Sequence, residues 1–159
     1  MNWLKSLIRK GRSWLQLDWE SRWFLLQALV LLPIVSLSLH LWGLRRTQAA
    51  LGKLCKPKLM SGEVKPLHAL KTVRIVEIAS RYTRPWSTCL RRSLVLWYLL
   101  RRQGIMSELR IGVQRTTGEI LAHAWVEYLG SVLNDQQDVR QRYAMFEQPI
   151  DLTGYQRGK

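Results

Sequence analysis

From Phe24 to Leu44 the chain reads FLLQALVLLPIVSLSLHLWGL, with no Asp, Glu, Lys or Arg. That is about the length of roughly 20 residues that a membrane span requires. Pro33 is expected to break the run, Gln27, Ser36, Ser38 and His40 interrupt it, and positive charge lies on both sides of it rather than one. The readings that follow are contact with a membrane through residues 24–44, or else packed helices or a partner-binding surface. Residues 34–41 alternate apolar and polar, so periodicity fits helix and strand equally there. The following KLCKPKLMSGE (residues 53–63) combines Pro, Ser, Gly and three lysines and reads as a linker, which sets a boundary near residue 60. Residues 1–60 then form a basic and apolar helical extension, and residues 61–159 a separate domain.

Beyond the boundary the period is helical. Pro66, Ala69, Leu70, Val73 and Val76 recur at helical spacing, with Pro66 acceptable in a first turn and an end expected near Tyr82, ahead of Pro85. A second helix follows in STCLRRSLVLWYLLRRQG (87–104). Ser87 or Thr88 can cap it, Arg101 and Arg102 suit its negative end, and Gly104 can take a left-handed stop. It is apolar nearly all round from Leu94 to Leu100, as expected of a helix inside a domain. The pattern then alternates: ELRIGVQ (108–114) as strand, RTTGE (115–119) as turn, ILAHAWVEYL (120–129) as strand, Gly130 as a tight turn and SVLND (131–135) as a third strand. A helix followed by an antiparallel meander is an α+β arrangement.

Composition narrows the setting. The 159 residues carry 25 Lys and Arg against 11 Asp and Glu, a net charge of +14, and 47% are hydrophobic, so the chain folds and presents a basic surface. Such a surface suits nucleic acid, anionic lipid or an acidic peptide. The arginines are scattered over the elements instead of clustered in one recognition helix, and no nucleic-acid-binding motif is present, which weighs against nucleic acid as partner and leaves a non-catalytic basic module as an alternative reading. The two cysteines, Cys55 and Cys89, show neither a disulfide framework nor metal-ligand spacing, so no metal or other cofactor is called for and a reducing cytoplasm fits, with membrane association as its variant. The basic start (Lys5, Arg9, Lys10, Arg12) runs into Trp14, Asp18, Glu20 and Arg22 before the apolar run, so the N-terminus is read as retained.

The candidate chemistry centres on Cys89. A cysteine acts as a nucleophile through its thiolate, which a helix N-terminus or a neighbouring imidazole favours. Cys89 has the first by position. Of three histidines, His40 lies in the apolar run, His68 opens a helix, and His123 sits within the strand AHAWVE. His123, Trp125 and Glu127 share one face, and Ala122, Ala124 and Val126 the other. The expectation is that His123 faces the Cys89 end of the helix while Ala122 and Ala124 lie against a second layer. A base needs an orienting partner, and a hairpin turning at Gly130 brings Asp135 or a neighbour opposite His123. Cys55, beside Lys53 and Lys56, could have a lowered pKa, but no base accompanies it, so it is expected to be a bystander.

A helix-start Cys, then a His strand, then an Asp strand is the order of papain-like and transglutaminase-like folds. CLRRSLVLWYLLRRQGI, LRIGVQ, AHAWVEYLG and LND resemble the leader-peptidase half of the lasso-peptide biosynthesis B protein, a transglutaminase-like cysteine peptidase. LLQALVLLP with its basic pair is similar to the extension of the split, stand-alone form. The resemblance implies an α+β core with the nucleophile at the N-terminus of a central helix packed on an antiparallel sheet, and Cys89, His123 and Asp135 as catalytic residues. It implies removal of the leader from a ribosomal precursor peptide, freeing the amine that a separate lasso cyclase joins to a side chain. The leader-recognition domain of fused members is not visible in residues 1–60, so a separate leader-binding protein is an expected partner, beside the precursor and the cyclase. Acyl transfer to an amine on the same fold is the alternative.

Overall fold

The computed structural model describes residues 18–55, 65–116 and 119–145. The expected junction near residue 60 and the reading of the first seventeen residues lie outside that range. In chain order the elements are α1 (Trp19–Leu54), α2 (Lys65–Tyr82), a 3-10 turn (Arg84–Trp86), α3 (Cys89–Arg102), β1 (Glu108–Thr116), β2 (Glu119–Tyr128), β3 (Ser131–Val132), α4 (Val139–Arg142) and β4 (Ala144–Met145).

α1 runs through Pro33 and breaks instead at Gly43, whose φ of 72° and ψ of 178° are open to glycine almost alone. The expected break at proline therefore does not occur. Pro33 costs the helix one backbone donor, but Leu25, Ala28, Leu32 and Val35 on either side of it are buried in one core with α2 and α3, and that packing holds the helix together. The alternation over 34–41 resolves as helix for the same reason. α2 spans the expected range and buries Ala69, Thr72, Val73, Val76 and Ala79, whereas Leu70 is turned to solvent.

α3 is buried on all sides from Ser93 to Leu100. Its end is a closed left-handed stop: Gly104 has φ 72°, the Gly104 N–H donates to Arg101 C=O (3.0 Å), and the Ile105 N–H to Leu100 C=O (3.0 Å). Arg101 and Arg102 lie over the rings of Trp97 and Tyr98, and Arg102 also donates to Gln27 of α1 (2.9 Å), so these cations pack as well as complement the helix end.

Among the described residues the sheet is four-stranded, in the order β3-β2-β1-β4, with antiparallel pairs throughout. β1 and β2 pair from Glu108↔Glu127 to Thr116↔Glu119, so β1 runs two residues beyond its expected end while β2 keeps its expected length one position earlier. Leu129 (φ 48°) and Gly130 (φ 77°) form a two-residue hairpin turn between Tyr128 and Ser131. β3 stops at Val132 instead of Asp135; one further backbone bond, Leu133 N–H to Val126 C=O (2.9 Å), follows, and side chains then take over. Gln137 Nε2 donates to Val132 C=O (2.9 Å) and Gln137 Oε1 accepts from Val132 N–H (3.2 Å), while Asn134 Oδ1 accepts from Val126 N–H (2.7 Å).

Candidate active site

Cys89 is the first residue of α3 and is half-buried. Thr88 precedes it in extended conformation without a side-chain cap, so the first N–H groups of the helix are left uncapped. One turn on, Ser93 is fully buried and donates its hydroxyl proton to Ala124 C=O on β2 (2.9 Å). Ser93 Oγ accepts in turn from Asn134 Nδ2 (2.9 Å), whose Oδ1 holds Val126 N–H. One amide thus fastens the Cys89 helix to the strand that carries His123.

Two separate apolar clusters define the faces of β2. Leu109 and Val126 enter the helical core, while Trp125 joins Val132, Val139 and Tyr143 in a second cluster. Ala124 is buried but Ala122 is exposed, so the two alanines do not share a second layer as expected, and His123 shares its face of the strand with Trp125. There its imidazole lies 5.0 Å from the ring of Tyr143 and 6.2 Å from that of Trp125, centroid to centroid. Tyr143 can sit so close because position 112 lacks a side chain: a Cβ there would stand 2.9 Å from Tyr143 Cβ and 3.0 Å from the Trp125 ring.

His123 Nε2 hydrogen-bonds Asp135 Oδ2. Asp135 Oδ1 accepts from the Gln136 N–H (2.7 Å) and faces Arg142 at 3.4 Å. Burial pushes the Asp135 carboxyl up, but the His123 hydrogen bond, the Gln136 N–H and the charges of His123 and Arg142 together hold it below its usual value. It is a carboxylate at neutral pH, it accepts the Nε2 proton, and it leaves Nδ1 of His123 free to exchange a proton elsewhere. The sequence-assigned residues thus divide. His123 and Asp135 are joined, and among the described contacts no hydrogen bond links Cys89 to His123.

Further along the face of His123, Glu127 is 5% exposed and accepts from Trp125 Nε1 and Arg140 Nε, each at 2.8 Å. Burial raises the Glu127 carboxyl, and these two bonds with the charges of Arg140 and Arg110 outweigh it, so it too titrates below its usual value. A cavity of about 410 Å³ opens there between Met106, Glu108, Arg110, Glu127, Leu129 and Arg140. Cys55 is the reverse of the site. Burial raises its thiol despite Arg101 and Arg102, and its Sγ lies 3.7 Å from Tyr98 C=O, so the expected lowering by lysines is corrected.

Ser93, Asn134 and Tyr143 are site residues that sequence reasoning missed. A serine one turn from Cys89, directly before the apolar run from Leu94 to Leu100, was the available signal for Ser93, whereas Asn134 before Asp135 reads as a turn former.

A helix with cysteine at its start, laid on an antiparallel sheet that presents a paired histidine and aspartate, is an arrangement of cysteine-peptidase-like and acyltransferase-like enzymes. Residues 29–147 match the transglutaminase-like superfamily, and the chain belongs to that superfamily. No curated protein and no solved structure matches the chain significantly.

Proposed function

We propose that the protein is a cysteine peptidase that removes the leader from a ribosomal precursor peptide during lasso-peptide maturation. The observation that carries the catalytic part is the His123–Asp135 pair, set beside the residue to which the Cys89 helix is hydrogen-bonded. Cys89 as thiolate attacks the scissile carbonyl, His123 passes a proton to the leaving amine, and Asp135 holds the imidazole with Nδ1 toward the reaction. The uncapped N–H groups at the start of α3, that of Cys89 included, stabilise the oxyanion. Hydrogen bonds of this kind are often long in free enzymes and tighten around substrate, which suits the unpaired Cys89. Peptide residues away from the scissile bond would reach the cavity beside Glu127.

The leader specificity rests on the motif resemblance of residues 65–150 to lasso-peptide B proteins, and it brings with it a separate leader-recognition protein and a cyclase as partners. The test is cleavage of a precursor peptide encoded beside the gene, with and without that recognition protein, read by mass spectrometry. Wild type is expected to release the core peptide. Cys89→Ala should abolish release, Asp135→Asn should slow it at least about a hundredfold, and Cys55→Ala should leave it unchanged. Product mass separates hydrolysis from acyl transfer to an added amine. Equal cleavage by wild type and Cys89→Ala would sink the proposal.

A further inference from the structure

The helix that closes the domain core also carries an apolar surface of its own. On α1 the inward positions Leu25, Ala28, Leu32 and Val35 are at most 1% exposed. The outward positions Trp23, Leu26, Val30, Ile34, Leu37 and Leu41 are each 51–59% exposed and recur every three or four residues, one continuous stripe. From Trp23 to Leu44 no Asp, Glu, Lys or Arg interrupts it, and His40 is its one strongly exposed polar side chain. Soluble monomers rarely leave so long an apolar strip in water.

We propose that this stripe lies in the plane of a membrane and docks the protein on an anionic lipid surface. Three observations select lipid over protein as the occupant. The stripe is bounded by tryptophans, Trp19 and Trp23 at one end and Trp42 at the other, the side chains suited to the boundary between headgroups and acyl chains. Arg45 and Arg46 follow immediately and are exposed, on a chain with net charge +14, which complements anionic headgroups. That same charge opposes pairing of two copies stripe to stripe. Nor does the uninterrupted apolar face offer the polar rim of a protein interface.

The orientation follows from the packing. From Trp23 to Trp42 the helix measures roughly 28 Å at 1.5 Å per residue, close to the hydrocarbon thickness. Its inner face, however, is covered along the same length by α2 and α3, and α2 carries exposed Lys71, Arg74 and Glu77. A spanning α1 would drag those charges into the bilayer. An in-plane α1 sinks its outer face to the acyl boundary and keeps the domain in water.

The test is flotation of the full chain with vesicles of phosphatidylcholine alone or mixed with phosphatidylglycerol. Wild type should float with the mixed vesicles and be released by alkaline carbonate. Ile34→Glu with Leu37→Glu should cut the floated fraction at least about tenfold on either vesicle. Arg45→Glu with Arg46→Glu should cut it about tenfold on the mixed vesicles only. Leu26→Gln with Val30→Gln, which adds no charge, should also reduce flotation, and thermal melts of all variants should match wild type because every altered side chain faces solvent. The proposal is overturned if wild type fails to float, if the Glu pair floats normally, or if carbonate leaves the protein in the membrane as a span would stay. A lipid-free dimer that the Glu pair splits would equally overturn it, by showing that a second copy covers the stripe.

Discussion

Asn134 satisfies two polar groups at once: its amide N–H meets Ser93 Oγ and its oxygen meets Val126 N–H, while Ser93 in turn donates to Ala124 C=O. Groups so placed cost far more to strand than to satisfy. Asn134→Ala should therefore destabilise the protein by about 1–3 kcal/mol and slow the proposed cleavage further than that loss explains, since of the polar contacts between helix and strand there only the Ser93–Ala124 bond remains. Urea unfolding beside single-turnover cleavage separates the two effects. Asn134→Asp keeps the acceptor for Val126 but loses the donor to Ser93, and should fall between alanine and wild type. Its neighbour Asp135 reaches the other way, to His123, so two adjacent side chains serve opposite faces of one strand.

At the level of elements, the second cluster depends on the absence of a side chain. Gly112 pairs with His123 on one side and Met145 on the other, and β4 and Tyr143 close over that position. Gly112→Ala places a methyl group against Tyr143 and the backbone oxygen of Ala144, and overpacking of this kind should cost about 1–3 kcal/mol. The expected outcome is a lower melting temperature with weakened near-ultraviolet signal from Trp125 and Tyr143. A glycine in a strand hints at close approach, but the sequence does not name what approaches, because β4 is two residues long and pairs with a strand over 30 positions earlier. Local signals served well where local physics decides. Gly104 ends α3, Gly130 turns the hairpin, and the period of α2 follows its buried face. They failed where tertiary contact decides. The face of β2 that meets the helical core is set by the packing of Val126 and Leu109 there and of Trp125 in the second cluster, and the continuity of α1 at Pro33 is set by packing on both sides of the proline. The pairing of His123 with Asp135 was legible from the hairpin count. The role of Asn134 was not, since it depends on Ser93, 41 positions earlier.

Over the whole molecule, the excess of positive charge makes the carboxylates that pair with cations consequential. Glu127 and Asp135 both titrate below their usual values in the fold. The unfolded chain takes up protons on acidification before the folded one does, so their stabilisation is complete at neutral pH and drains away as pH falls through the folded values. Urea midpoints should hold steady near neutrality and drop between about pH 5 and pH 3. Glu127→Gln should lower the neutral plateau and flatten that decline, and an unchanged decline would mean that other carboxylates govern it. The joint between Ser93 and Asn134 has a further consequence. It holds α3 to β2 by a few hydrogen bonds, whereas the body of α3 is held by a broad apolar core. Such a joint behaves as a fuse: on slow heating the proposed peptidase should fall silent several degrees before calorimetry records its main heat-absorption peak, and prompt cooling should restore it.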